Sequence, residues 1–269
     1  HDGAVIFASH FHGKRIVPRC VLVTGASGGI GSALAREYAR AGSRVLLLQG
    51  RDAARLQEAA AQCEALGARV VQTVLDVRDT GALRRWVADA SAADAPDLVI
   101  VNAGVSIHTG DDRHGETWED MARVFEVNLA AAVATAHAAL PAMRARGGGQ
   151  IALISSLAAW RGLPRMPSYC ASKAALKAWG EAMRDALAGE GVRINVVMPG
   201  YVQSQMCAGM PGPKPWLWQA DRAARAIRRG LAADRPRLGF PFLLDLGGFL
   251  LAVLPQAMSG WILKRLGYR

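Results

Sequence analysis

Cysteine is scarce in this 269-residue chain: Cys20, Cys63, Cys170 and Cys207 are scattered, with no paired spacing. That argues against a disulfide framework or a zinc site, and makes a reducing cytoplasm the expected setting. His10 and His12 lie close together, but no cysteine or acid at ligand spacing joins them, so no metal is expected. Aromatic residues make up 6% of the chain and are not interleaved with a basic patch, so nucleic acid is not an expected partner. No Gly-Lys-Ser/Thr closes a Walker-type phosphate loop, and no G-x-S-x-G forms a nucleophile elbow. Residues 1–18 lack the continuous apolar stretch of a secretory signal and read as an N-terminal extension.

Acids are also outnumbered, 22 against 32 lysines and arginines, which leaves a net charge of +10. Such a balance suits an anionic partner, either a phosphorylated cofactor or an acidic membrane surface, and it equally suits a solvated basic face.

What the chain has in quantity is apolar residues, 51% of the total, in runs of strand length that alternate with helical patterns. "CVLVTG" precedes a helix from Ile30 to Ala41 that Gly42 stops, and "RVLLLQ" precedes a helix from Ala53 to Leu66 that Gly67 stops. The rhythm continues through "RVVQTVLD", a helix after Asp79, "DLVIVNAG" and a long helix from about Thr117 to Arg146. "QIALISS", the helix carrying Tyr169 and "RINVVMPG" complete it. Continuous Val/Ile/Leu strands separated by helices predict one α/β domain over residues 19–235, a Rossmann-like, doubly wound parallel sheet of about seven strands. Ligands of such sheets bind beyond the carboxyl ends of the strands. Each strand here ends in something small or polar.

The first strand runs straight into "TGASGGIG", Thr24 to Gly31, and a helix follows. Glycines let a pyrophosphate approach the backbone while the free N–H groups of the helix start point at it. In "SYCASKAAL", Tyr169 and Lys173 are four residues apart and share one helix face. A phenol beside an ammonium is a candidate proton donor, its pKa expected to fall under the neighbouring cation.

The Gly25, Gly29, Gly31 spacing, T-G-x-x-x-G-x-G, resembles that of the short-chain dehydrogenase/reductase family. The likeness extends to Asp76 at the third strand's end, to "NAG" at Asn102, Ala103 and Gly104, and to Asn128 in "VFEVNLAAA". Ser156, Tyr169 and Lys173 match its S…Y-x-x-x-K with thirteen positions from Ser to Tyr, and Pro199-Gly200 closes the last core strand. That interval selects Ser156 over the adjacent Ser155. The resemblance implies a catalytic set of Asn128, Ser156, Tyr169 and Lys173. In it Ser156 polarises the carbonyl, Lys173 binds the nicotinamide ribose, and Asn128 holds a water relay. It implies nucleotide contacts at Gly25, Ser27, Gly28, Gly29, Ile30 and Gly31, then at Asp76, Val77, Asn102, Ala103 and Gly104. Pro199, Gly200, Val202 and Ser204 would complete them, although Ser204 also reads as an ordinary loop serine.

In "LLLQGRDAARL" Gly50 stands where an NAD site usually has an acid, and Arg51 follows, so NADP(H) is expected over NAD(H). The alternative is a solvated Arg51, with Asp52, the expected N-cap of the next helix, serving the ribose. The loop at 201–219 carries Met206, Met210, Trp216 and Trp218, a composition suited to an irregular lid over an apolar ligand or to a packed structural loop. The tail, 236–269, is strongly apolar, but Pro241, Asp245, Gly247, Gly248 and Pro255 leave no run of the ~20 residues a spanning helix needs. It reads as amphipathic pieces that lie on a membrane interface, cap a greasy cleft or pack on the domain or a neighbouring subunit.

The expected activity is therefore NADP(H)-dependent hydride transfer at a carbonyl or secondary alcohol of a small lipophilic molecule. The rival is a catalytically silent NADP(H) sensor acting at a membrane or partner surface. Alanine-rich faces on the helices bearing Asn128 and Tyr169 fit a homodimer or homotetramer.

Overall fold

A computed structural model describes residues 17–107, 115–210 and 213–267; the histidine pair and most of the N-terminal extension lie outside them. Seven parallel strands form one sheet in the order β3-β2-β1-β4-β5-β6-β7. They are β1 (Cys20–Val23), β2 (Val45–Gly50), β3 (Arg69–Val74), β4 (Leu98–Val101), β5 (Gly149–Ile154), β6 (Val192–Pro199) and β7 (Arg237–Phe240). The last of these falls within the segment read from the sequence as tail.

Side chains alternate across the sheet, as strand geometry requires. Val21, Val23, Leu46, Leu48 and Ile100 enter one core with α1 (Gly29–Ala41), α2 (Ala53–Glu64) and α8 (Ala220–Ala232). Leu22, Leu47, Val99, Ile151 and Leu153 enter the other, against α3 (Thr80–Asp94), α5 (Ala131–Ala145) and α6 (Pro167–Ala186). Burial on both faces is why these strands read as unbroken apolar runs.

Helix ends follow local chemistry. The Asp52 carboxylate accepts from Arg55 N at the start of α2, as expected, and Asp79 accepts from Ala82 N at the start of α3. Gly42 closes α1 at φ 101°, a left-handed conformation that costs a glycine little. The helix expected over 117–146 is present but not uniform. α4 (Trp118–Phe125) passes through one π turn, Glu126–Ala130, into α5, with Ala131 N bonding Glu126 O. By length and composition Trp118–Ala145 is apolar enough to cross a membrane, yet half of its most apolar window is buried inside the domain.

β1 and β4 are neighbours although β2 and β3 intervene in the chain, so the switch point of the sheet lies between their carboxyl ends. Beyond β6 come α7 (Gln205–Ala208) and α8, and after β7 the tail folds into α9 (Phe242–Val253) and α10 (Gln256–Arg265).

Candidate active site

The switch point opens into a cleft of about 1100 Å³ that reaches from Arg51 and Asp76 at one end to α9 and α10 at the other. Every candidate nucleotide contact lines it except Gly31, which sits beneath the turn: a Cβ there would meet Gly25 O at 2.2 Å and Asn102 Nδ2 at 2.6 Å. Gly25 itself has φ 67° and lies against Ala103, where a Cβ would come within 2.8 Å of Ala103 Cα. The glycines thus let the β1 and β4 ends close on each other. Thr24 ties the two, its Oγ1 accepting from Asn102 N (3.0 Å) and Ala103 N (3.2 Å). Asn102 Nδ2 donates back to Thr24 O and Gly25 O, both at 3.1 Å.

No side chain caps the start of α1 and its first turn holds no acid, while Ser27, Gly28, Gly29 and Ile30 face the cleft. The positive end of a 13-residue helix therefore opens onto the space, which fits a pyrophosphate. At the end of β2, a Cβ in place of Gly50 would lie 2.8 Å from Ser27 Oγ and 3.1 Å from its Cβ, a tight fit that the serine would have to rotate to relieve, and Gly50 itself offers the site no carboxylate. Exposed Arg51 and Arg55 line this end instead, Arg55 pairing with Asp52 at 3.2 Å. Asp76 is engaged as well: Arg78 donates to it from Nε (3.1 and 3.2 Å) and Nη2 (2.7 Å), holding the carboxyl below its usual pKa. Val77 lies beside it in the cleft wall.

Tyr169 and Lys173 point into the cleft from α6, as their spacing predicts, and both are buried. Ser156 lines the same wall, hydrogen-bonds Tyr169, and accepts from Ala158 N at 3.1 Å. Ser155 instead donates to Lys173 O, which supports Ser156 as the residue facing the reaction space. Lys173 Nζ donates to Ile154 O at 2.9 Å and lies 5.8 Å from the Tyr169 ring centre. Asn128, carried on the π turn, is fully buried and does not line the cleft. Its Oδ1 accepts from Val105 N (2.8 Å), and its Nδ2 donates to Val105 O (2.9 Å) and Ser172 Oγ (3.1 Å). A Cβ on Gly104 would fall between Asn128 Oδ1 (3.3 Å) and Lys173 Nζ (3.4 Å), so that glycine keeps the two polar groups in reach of a common point.

One expectation is corrected. Lys173 does not lower the Tyr169 pKa; burial of the phenol dominates and pushes it up to about 12, with the Ser156 hydrogen bond opposing. Burial also brings Lys173 down to about 8, and its ammonium is turned to the Ile154 carbonyl rather than to the phenol.

Ser204 does two things: it lines the cleft, where a Cβ on Gly29 would meet its own at 2.7 Å, and it accepts from Cys207 N to start α7. Pro199, Gly200 and Val202 continue the wall, Val202 bridging to Trp218. Of the loop's greasy residues, Met206 and Met210 line the cleft, whereas Trp216 is exposed and Trp218 stacks on Phe240 with ring centres 4.9 Å apart. Beyond Tyr169 the lining includes Leu157, Leu163 and Met166, then Leu244, Leu251, Leu254 and Ile262 from the tail, with Arg161 the one charged side chain among them. The tail caps the cleft. Arg161 fastens it there, donating from Nε to Ser259 Oγ (3.2 Å) and from Nη2 to Gln256 Oε1 (2.9 Å).

Several residues here escaped the sequence reading. Gln49 is buried and braces the glycine turn, accepting from Gly25 N and donating to Leu75 O. A lone amide ending "RVLLLQ" was the available sign, since a buried polar group needs partners. Glu116 accepts from Ser168 N (3.1 Å) and Ser168 Oγ, supplying the acid that the first turn of α6 lacks, one residue before Tyr169. Nothing in the local pattern pairs it with Ser168 52 positions away.

Comparison with known proteins matches residues 19–211 to the family described as short chain dehydrogenase. An uncharacterized oxidoreductase of Myxococcus xanthus is 36% identical over 249 residues, covering 92% of this chain and 97% of that protein. Among solved structures, a short chain dehydrogenase from Mycobacterium paratuberculosis bound to NAD superposes with a TM-score of 0.73 at 27% identity, covering 82% of this chain and 95% of that one. A short-chain dehydrogenase from Sphingobium yanoikuyae in complex with NADPH gives 0.75 at 26% identity, covering 88% and 97%.

Proposed function

Because the chain belongs to the short-chain dehydrogenase family, we propose that it reduces the carbonyl of a lipophilic molecule with NADPH, Tyr169 delivering the proton. Oxidoreduction of carbonyl or alcohol groups with NAD(P)(H) is its activity. The nucleotide, the substrate class and the residue roles are our reading.

The observation that carries it is the continuity of one cleft from an anion-binding helix start, past a buried Tyr169, to a wall of leucine, isoleucine and methionine. Bound along that cleft, the nicotinamide nucleotide supplies or accepts the hydride. Tyr169, protonated at neutral pH as any phenol is and held more firmly so by burial, gives its hydrogen to the oxygen that gains charge as the carbonyl is reduced. Ser156 directs its hydroxyl at the same oxygen. Lys173, brought to about 8, holds the nicotinamide ribose and passes a proton toward Tyr169. Asn128, its amide fixed by Val105 and Ser172, orients a water between itself and the lysine.

The absence of an acid at Gly50, with Arg51 and Arg55 at that end, supports NADP(H). The Arg78-clamped Asp76 and the neighbouring Val77 are assigned to the adenine. Exposed Trp118 and Phe125 on the α4 side support a dimer or tetramer through the helices bearing Asn128 and Tyr169. A chain-length series of aliphatic ketones, assayed in solution by NADPH oxidation, tests the substrate class. We expect kcat/KM to climb with chain length; equal turnover of short polar ketones refutes it.

A further inference from the structure

On α9 the side chains of Phe242, Leu243, Leu246, Phe249, Leu250 and Val253 are between 41% and 71% exposed. On α10, Met258 and Trp261, and Leu266 just after it, are 53% to 60% exposed. The apolar surface continues onto the 201–219 loop, where Trp216 and Leu217 share a small groove with Phe242 and Leu243. Monomeric surfaces rarely leave this much contiguous apolar area in water.

The exposed charges of α9 and α10 have one sign. Between residues 242 and 267 the lone acid is Asp245, which is half-buried and accepts from Trp160 Nε1 at 2.8 Å. Exposed Lys264 and Arg265 close α10, the Arg265 guanidinium lying 5.0 Å from the ring centre of Trp261. Arg222 lies 4.1 Å from the Trp218 ring centre beside the groove. An apolar face flanked by cations and aromatic rings matches the boundary between acyl chains and anionic headgroups. A second copy of the chain fits less well. A two-fold interface pairs the patch with itself, and α9 and α10 offer no exposed acid to meet Lys264 or Arg265. Spanning is excluded for α9 itself, since its 12 residues cover roughly 18 Å.

We infer that the α9–α10 face docks on an anionic lipid bilayer and lies in its interface. The mouth of the cleft opens on this same face, because Leu250 and Leu266 line the cleft and are also exposed. Docking therefore puts the mouth against the acyl region; that a substrate enters there rests on the lipophilic reading above, whereas docking itself does not.

Co-sedimentation of the full chain with phosphatidylcholine vesicles, with and without phosphatidylglycerol, tests it with no substrate present. We expect pelleting with the anionic vesicles and a fall of roughly tenfold or more for K264E/R265E, each surface cation contributing about a factor of five. Leu246→Glu with Val253→Glu, neither of which lines the cleft, abolishes pelleting while NADPH binding, followed by fluorescence, stays intact and reports a folded chain. Absence of pelleting, or indifference to phosphatidylglycerol, overturns the inference. So does a concentration-dependent dimer in sedimentation velocity that the leucine and valine changes dissolve. The chain-length series is read without vesicles, so either idea fails alone.

Discussion

Replacing Lys173 with methionine tests how burial tunes the site. The side chain is 4% exposed, and its pKa falls from 10.5 to about 8 because the charged form loses water. That drop corresponds to roughly 3 kcal/mol of extra cost for carrying the ammonium in the folded chain. The cost is fully present below pH 8, where folded and unfolded chains are both protonated, and it disappears as the pH approaches 10.5, where neither is. Methionine removes the charge at similar volume but leaves Ile154 O without its donor, a loss of about 1 kcal/mol. The variant should thus be about 2 kcal/mol more stable than the parent at neutral pH, with the gain shrinking as pH rises. Urea unfolding of cofactor-free protein from about pH 7 to pH 9.5 measures it. Across that range the unfolded chain also ionises its cysteines, whose thiols burial holds above 9.0 in the fold, so parent and variant both lose stability as pH rises and only the difference between them isolates the lysine. The variant should also be inactive. A less stable variant at neutral pH, or a difference between variant and parent that stays constant across the range, refutes the reasoning.

Three further outcomes follow from the site. Gly31→Ala drives a methyl to 2.2 Å from Gly25 O, a backbone atom that cannot swing aside, so NADPH affinity by fluorescence titration should fall more than roughly tenfold. Arg51→Ala should raise the KM for NADPH roughly tenfold, about 1.4 kcal/mol, and leave that for NADH unchanged; equal effects on both would remove the 2′-phosphate assignment. Asp52→Ala deletes the α2 cap and should cost about 1 kcal/mol in thermal or urea unfolding, with kcat intact.

Much of this was legible in the sequence because it is local or periodic. Strands buried on both faces must be apolar throughout, so five announced themselves that way and edge strand β3 by its valines, and Gly42, Asp52 and Asp79 marked helix ends by chemistry that acts over a few residues. Tyr169, Lys173 and Ser156 stood out through spacing. What stayed hidden depends on contacts distant in the chain. β7 has only four residues, "RLGF", and looks like part of the apolar tail until it pairs with β6. The π turn carries Asn128 to Val105, 23 positions earlier, and no helical pattern records it. Trp216 and Trp218 carry the composition of a lid, but Trp218 is drawn to Phe240, and of the four Met and Trp side chains only Met206 and Met210 reach the cleft. The direction of the Tyr169 shift was misread because spacing reveals the neighbouring cation and not the depth of burial, which prevails.

The central claim is that the buried Tyr169 hydroxyl supplies the proton for carbonyl reduction. Single-turnover NADPH oxidation by Tyr169→Phe, with any ketone the parent reduces, tests it most directly. The account predicts a rate lower by roughly two to four orders of magnitude with NADPH affinity preserved. A rate equal to that of the parent would contradict it.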